Sequence, residues 1–307
     1  MIKLKKILFP TDFSRCADQA LTHAVYLAEK FQAELHLLHV VTLFKDQPEV
    51  LISKEFGETE AAIRKLEEKA EKEMEQVANT HGTEDMKITK SQLRAVSAAP
   101  AILNYASEND IELIVLGTHG RRGIEHLLLG SVAEEVVRMA YCPVFTVRES
   151  KIEKEIEKIE NILVPVDFSD HSRKAISYAK EIASAYNAQL QLLHIIEETL
   201  HPAYSLSGKS SVFDLYPNIK EESRKQIEDM LRKSKGPEVS SEIFIKGGHA
   251  ANDIIEFAKN NSSDLIVIAT HGLSGIEHLL LGSVTEKVVR MAPCPVFTVK
   301  AFGKDLI

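Results

Sequence analysis

The 307-residue chain has no excess of basic charge: 37 Lys and Arg stand against 45 Asp and Glu, a net charge of −8. That argues against a nucleic-acid surface, which needs a basic stripe to neutralise phosphates. No apolar run reaches the roughly 18 to 20 residues of a membrane span. The start, MIKLKKILFPTDFS, lacks the long apolar stretch of a secretory signal, so a cytoplasmic location is expected. Cysteine is scarce: Cys16, Cys142 and Cys294 are an odd number without CxxC spacing, which reads as buried reduced thiols. There is no HExxH frame for zinc, although His119/His126 and His271/His278 recur seven residues apart. There is no G-x-S-x-G elbow for a hydrolase. SGKSS (207–211) fails as a phosphate loop because Ala203 stands where its first glycine is required.

What is present is a duplication. KILFPTDFS (6–14) and NILVPVDFS (161–169) share six of nine residues at an offset of 155. THGRRGIEHLLLGSVAEEVVRMAYCPVFTV (118–147) and THGLSGIEHLLLGSVTEKVVRMAPCPVFTV (270–299) differ at only five positions, 121, 122, 133, 135 and 141 in the first copy. Here the offset is 152, so the copies differ in loop length between the two blocks. Each copy is the size of one domain. The expected domains are 1–148 and 161–303, with the charged segment 149–160 as linker.

Each copy alternates short apolar runs with amphipathic stretches. Strands are expected at 6–10, 34–41, 87–95, 112–117 and 143–148, and at 161–166, 189–196, 241–247, 264–269 and 295–300. Helices are expected near 15–31, 58–80, 98–109 and 130–140. This alternation predicts an α/β fold with a parallel sheet covered on both faces. The region after the second strand diverges most between the copies. The last strands, PVFTVR and PVFTVK, are apolar edges that seek a partner, so the halves are expected to pair with each other, with a homodimer as a further option.

After the fourth strand come Gly117, Gly120, Gly130 and then Ser131. Glycines directly after a buried strand allow positive φ and close approach of backbone to a ligand. A helix opening at Gly130–Ser131 offers free N–H groups and a positive dipole end to a phosphate. Ser131/Glu134 and Ser283/Glu286 also fit a capping box, which explains the Ser and Glu but not the three glycines. Asp12 and Asp167, after the first strand of each copy, suit a ribose hydroxyl, or a turn.

The set PTDFS, LHVV and G-2x-G-9x-G-S, in that order and once per half, resembles the universal stress protein family over nearly the whole chain. The resemblance implies two tandem Rossmann-like (adenine nucleotide α-hydrolase-like) domains, each a five-stranded parallel sheet of order 3-2-1-4-5. It also implies ATP, with or without Mg2+, at the carboxyl edge. By position, Pro10, Thr11 and Asp12 would meet adenosine, with Val40 against adenine. Leu116, Gly117, His119 and Gly120 would line the ribose and phosphate path, and Gly130, Ser131, Val132 and Ala133 would hold phosphates. The second half offers Pro165, Val166, Asp167, Ile195, Ile268, Ala269, His271, Gly272, Gly282, Ser283, Val284 and Thr285.

Three departures stand out. Ala269 replaces the first glycine of the motif, Arg121–Arg122 face Leu273–Ser274, and Val96 stands where the second half keeps Gly248. Strand three lies far from the site in this order, so Val96 is discounted, and the first half is expected to bind ATP more tightly. The expected function is nucleotide-dependent regulation in a stress response, with no enzymatic role beyond slow ATP hydrolysis. The alternatives are an ATPase or phosphotransferase holding magnesium on Asp12 or Asp167, and a scaffold with vestigial sites. The partner proteins and the stress are not encoded in any motif.

Overall fold

Lys6–Pro10 (KILFP) is buried from its second residue on, as in a strand covered on both faces, and it forms β1. In the computed structural model, residues 4–42, 56–81, 86–120, 129–149, 159–197, 211–271, 281–300, 304 and 306–307 are described. The chain divides into two units, one built on residues 3–156 and the other on 157–305.

In the first unit β1 is followed by α1 (Arg15–Phe31), β2 (Glu34–Thr42), α2 (Phe56–His81), β3 (Ile88–Ala95), α3 (Ala98–Glu108), β4 (Leu113–Gly117), α4 (Ser131–Met139) and β5 (Val144–Val147). β1 pairs with β2 and β4, β2 with β3, and β4 with β5, all parallel, giving the order 3-2-1-4-5. Right-handed crossovers put α1 and α2 on one face and α3 and α4 on the other, and α3 and α4 pack together. The sheet is the core: Leu113, Ile114, Val115 and Leu116 of β4 are at most 4% exposed. Each such burial stabilises by about 1.5–3 kcal/mol.

The second unit repeats this with β6 (Asn161–Pro165), α5 (Asp170–Tyr186), β7 (Gln189–Glu197), the short α6 (Val212–Leu215), α7 (Ile219–Lys233), β8 (Ser241–Gly248), α8 (Ala250–Asn260), β9 (Leu265–Ala269), α9 (Ser283–Met291) and β10 (Val296–Val299). β6 lies between β7 and β9, with β8 and β10 outermost, again all parallel. The local backbone is duplicated too. Ser14 caps α1 by accepting from the Ala17 amide, and Ser169 caps α5 from the Ser172 amide. Among the described residues, the non-glycine residues with positive φ form three repeat-matched pairs: Phe13 and Phe168, Gln32 and Asn187, Asp110 and Ser262. The linker expected at 149–160 lies largely outside the described residues.

Candidate functional site

The site begins where β1 runs into α1. Thr11 holds its backbone to the neighbouring strand by donating its amide to Leu38 O at 2.9 Å. Its hydroxyl accepts from the Phe13 amide at 2.9 Å. Asp12 Oδ1 accepts from the Ser14 amide at 3.1 Å. Phe13 takes φ 58°, a left-handed conformation costing a non-glycine residue about 1 kcal/mol. Its ring lies 4.7 Å from that of His39. His39 Nδ1 lies 2.8 Å from Thr11 O; a carbonyl only accepts, so Nδ1 is the donor. The turn therefore holds Asp12 at the carboxyl edge of the sheet, next to the end of β2. His194 repeats the bond to Val166 O at 2.7 Å, and burial holds its pKa below the usual imidazole value.

The glycine block supplies the opposite wall. The Thr118 amide donates to Val147 O and the Gly130 amide to Thr118 O, both at 2.8 Å, folding the segment back to the sheet edge. The N-cap of α4 is Gly130, and no side chain caps the helix. The capping boxes expected at Ser131/Glu134 and Ser283/Glu286 are therefore not formed. Both serines are already the first helical residue, with Gly130 and Gly282 in the cap position. The first helical bond runs from Glu134 N–H to Gly130 O. The amides of Ser131, Val132 and Ala133 lie ahead of the hydrogen-bond ladder.

The glycines work through room, not through positive φ. Gly117, Gly120, Gly130 and Gly282 all lack it; positive φ falls instead on Phe13 and Phe168. A Cβ on Gly120 would stand 2.5 Å from Asp12 Oδ2, and one on Gly130 3.0 Å from Thr118 O. On Gly117 it would stand 2.8 Å from Cys16 Sγ. Cys16 donates its thiol to Val147 O at 3.4 Å, and burial raises its pKa.

These walls enclose a cleft of about 650 Å³ in the first unit. All twelve residues expected there line it: Pro10, Thr11, Asp12, Val40, Leu116, Gly117, His119, Gly120, Gly130, Ser131, Val132 and Ala133. His119 Nδ1 is 2.8 Å from the Thr118 hydroxyl. Several lining residues were not foreseen. Leu66, Lys69, Ala70 and Glu73 come from one face of α2, and Ser97, Ala98 and Ile102 from the start of α3. The segment after strand three thus reaches the site, against the reading that discounted it, although Val96 itself points to solvent at 68% exposure. The α3 residues carried no motif. The α2 residues were hidden in a long run rich in glutamate and lysine. Arg121, Arg122, His126, Gly272, Leu273, Ser274, His278 and most of SGKSS lie outside the described residues.

In the second unit Pro165, Val166 and Asp167 repeat the turn, and Ile195, Ile268 and Ala269 are buried at the strand ends. Gly282 N–H donates to Thr270 O at 2.9 Å, so Ser283, Val284 and Thr285 open α9 as their counterparts open α4. His271 Nδ1 lies 3.1 Å from the Thr270 hydroxyl. Four neighbouring positions have changed together: Cys16 to His171, Ala17 to Ser172, Gly117 to Ala269, and Ala133 to Thr285. Asp167 Oδ1 accepts from the Ser169 amide at 3.1 Å, the Ser169 hydroxyl at 2.6 Å, and the Ser172 hydroxyl. Thr285 donates its hydroxyl to Ala269 O at 2.7 Å. The His171 and His271 rings lie edge to face, 6.3 Å apart. Among the described residues, no cluster of three or more His, Cys, Asp or Glu is placed to hold a metal ion.

The model of the universal stress protein family matches residues 3–148 and again 158–300. The chain belongs to the universal stress protein family. A curated universal stress protein of Methanocaldococcus jannaschii is 36% identical over 146 residues, 48% of this chain and 85% of that one. The solved universal stress protein of Archaeoglobus fulgidus shares the fold over 96% of this chain and 98% of its own, with a TM-score of 0.66 at 20% identity. Another solved universal stress protein, determined in complex with cAMP, covers 46% of this chain and 97% of its own, at 26% identity and a TM-score of 0.33. Among the described residues of this universal stress protein, no helix is long and apolar enough to cross a membrane.

Proposed function

We propose that the first unit binds an adenine nucleotide, ATP foremost, and that the chain acts as a nucleotide-dependent regulatory protein rather than a turnover enzyme. The observation that carries this reading is convergence. Residues from four separate stretches, 10–12, 40, 116–120 and 130–133, line one cleft whose far wall is the start of α4, without a side-chain cap. The residues fit such a ligand. Val40 and Leu116 offer apolar surface to a base, and Asp12 offers a carboxylate to ribose hydroxyls. Gly120 and Gly130 leave room for phosphates to reach the backbone. The amides of Ser131, Val132 and Ala133 offer donors and the positive end of a helix dipole. A ligand gripped mainly by backbone and one carboxylate is held rather than activated, which favours a sensing role. The second unit is the weaker site in this reading: Ser172 engages Asp167, and Ala269 adds a Cβ where Gly117 has none.

The test is calorimetry of the full chain with ATP, ADP, cAMP and GTP, with mass spectrometry of ligand released on denaturation. Adenine nucleotide binding that Asp12→Ala weakens supports the proposal. Failure of all four to bind defeats it and leaves the scaffold reading. Turnover of ATP at about 1 per second or faster, within the usual enzyme range, and lost in Asp12→Ala, would replace it with the ATPase reading.

A further inference from the structure

Resting on the nucleotide reading of the first cleft, we propose that Lys69 of α2, outside the glycine block, binds the phosphates of the ligand and sets the preference for a charged nucleotide over its nucleoside. The first ground is placement. Leu66, Lys69, Ala70 and Glu73 fall at the i, i+3, i+4 and i+7 spacing of one helix face, and all four line the cleft. That face is fixed in position. Ile63, Ala70 and Met74 are buried beneath the helix. Arg94 of β3 grips both Glu67 carboxylate oxygens and bonds Glu60 Oε1 at 3.1 Å. Gln92 donates to Glu67 O at 3.4 Å.

The second ground is charge. Among the described residues lining the cleft, Lys69 is the one lysine or arginine, against Asp12, Glu73 and Glu135. A polyphosphate entering there faces three carboxylates, and Lys69 adds a full positive charge to the partial charge of the α4 dipole. The third ground is availability. Lys69 pairs with Glu73 at 3.7 Å while its side chain is 68% exposed. Exposed pairs of this kind contribute little, and lysine N-terminal to glutamate is the less favourable order on a helix. Exchanging Glu73 for a phosphate therefore costs little, and the flexible four-carbon stem lets the ammonium act as a point charge.

The experiment is calorimetry of the full chain with ATP and with adenosine, at low and moderate salt, on the wild type, Lys69→Met, Lys69→Arg and Arg64→Met. Arg64 removes an equal charge from the far side of the same helix, where its side chain is 72% exposed. Lys69→Met is expected to weaken ATP about tenfold, as for the loss of one charge-assisted contact. Adenosine should stay within about twofold, the salt dependence of ATP binding should flatten, and Lys69→Arg should retain most of the affinity. Unchanged ATP affinity in Lys69→Met, an equal loss for adenosine, or an equal loss in Arg64→Met overturns the inference while leaving the nucleotide reading standing. A wild type that binds neither ligand defeats the nucleotide reading itself.

Discussion

His23 and Tyr178 occupy one position in the two repeats, each packed on the matching phenylalanine of the last strand. His23 lies 5.3 Å from the Phe145 ring, and Tyr178 lies 5.9 Å from that of Phe297. Tyr178 is fully buried. Burial pushes the His23 pKa down to about 4. The folded chain thus resists a proton that the unfolded chain takes up near its ordinary value. Stability is full above about pH 6.5 and is lost as pH falls through the window down to about 4. The cost to the first unit is on the order of 3 kcal/mol. Tyrosine carries no such proton, and the second repeat shows that the surroundings accept its ring. His23→Tyr should therefore flatten the pH dependence of unfolding between pH 6.5 and 4.5, read from urea midpoints. A slope as steep as the wild type's would show that other groups govern acid sensitivity.

At the scale of elements, strands and helices were readable because each buried run is short, apolar and punctuated, as LIVLG (113–117) is. The glycine-block wall was readable because three glycines in fixed spacing are improbable without a close approach. The details that escaped are those decided by tertiary contact. Ser131 looks like a cap, yet Gly130 takes that position because its amide bonds Thr118 O. Nothing local in PTDFS shows that Phe13, not a glycine, carries the positive φ. The cleft-facing side of α2 is hard to read because glutamates and lysines crowd the edges of its apolar stripe, Ile63, Ala70 and Met74, and Arg94 on another strand helps fix which face turns inward. Glu67 is held below the usual carboxylate range, first by its hydrogen bonds from Arg94. That contribution is present above the ordinary glutamate pKa and is lost as pH falls through the lowered value. Arg94→Gln should therefore speed hydrogen exchange of amides 60–75 near neutral pH while leaving β1 and β4 protected. Exchange in α2 that stays at the wild-type rate would mean that Ile63, Ala70 and Met74 hold the helix unaided.

Across the whole molecule, the duplication has preserved one architecture while changing residues around the two matching sheet edges. The helix-opening blocks remain nearly identical, so both units keep an N-terminus without a side-chain cap. The differences sit around them, where His171, Ser172, Ala269 and Thr285 replace Cys16, Ala17, Gly117 and Ala133. Ser172 binds the acid that Asp12 mirrors, and Thr285 bonds the carbonyl of Ala269. On the nucleotide reading proposed above, such closure of a site onto itself would compete with a ligand for the same groups. The cap position offers a matched probe. Gly130 and Gly282 both have extended backbone, φ −64° and −60°, where aspartate is a favoured cap. Its carboxylate would bond the first amides of the helix and repel phosphate. The new Cβ would lie 3.0 Å from Thr118 O in one case and 3.2 Å from Thr270 O in the other, so each neighbour must yield by a few tenths of an ångström. On the proposed nucleotide reading, Gly130→Asp should remove the tighter ATP-binding event in calorimetry, and Gly282→Asp should leave that event intact and affect only a weaker one. The thermal midpoint should fall by a similar small amount in both, because the crowded carbonyl offsets the gain of a cap. Equal loss of affinity from each substitution would mean that the two sites are equivalent and that the paired replacements in the second unit are neutral for ligand.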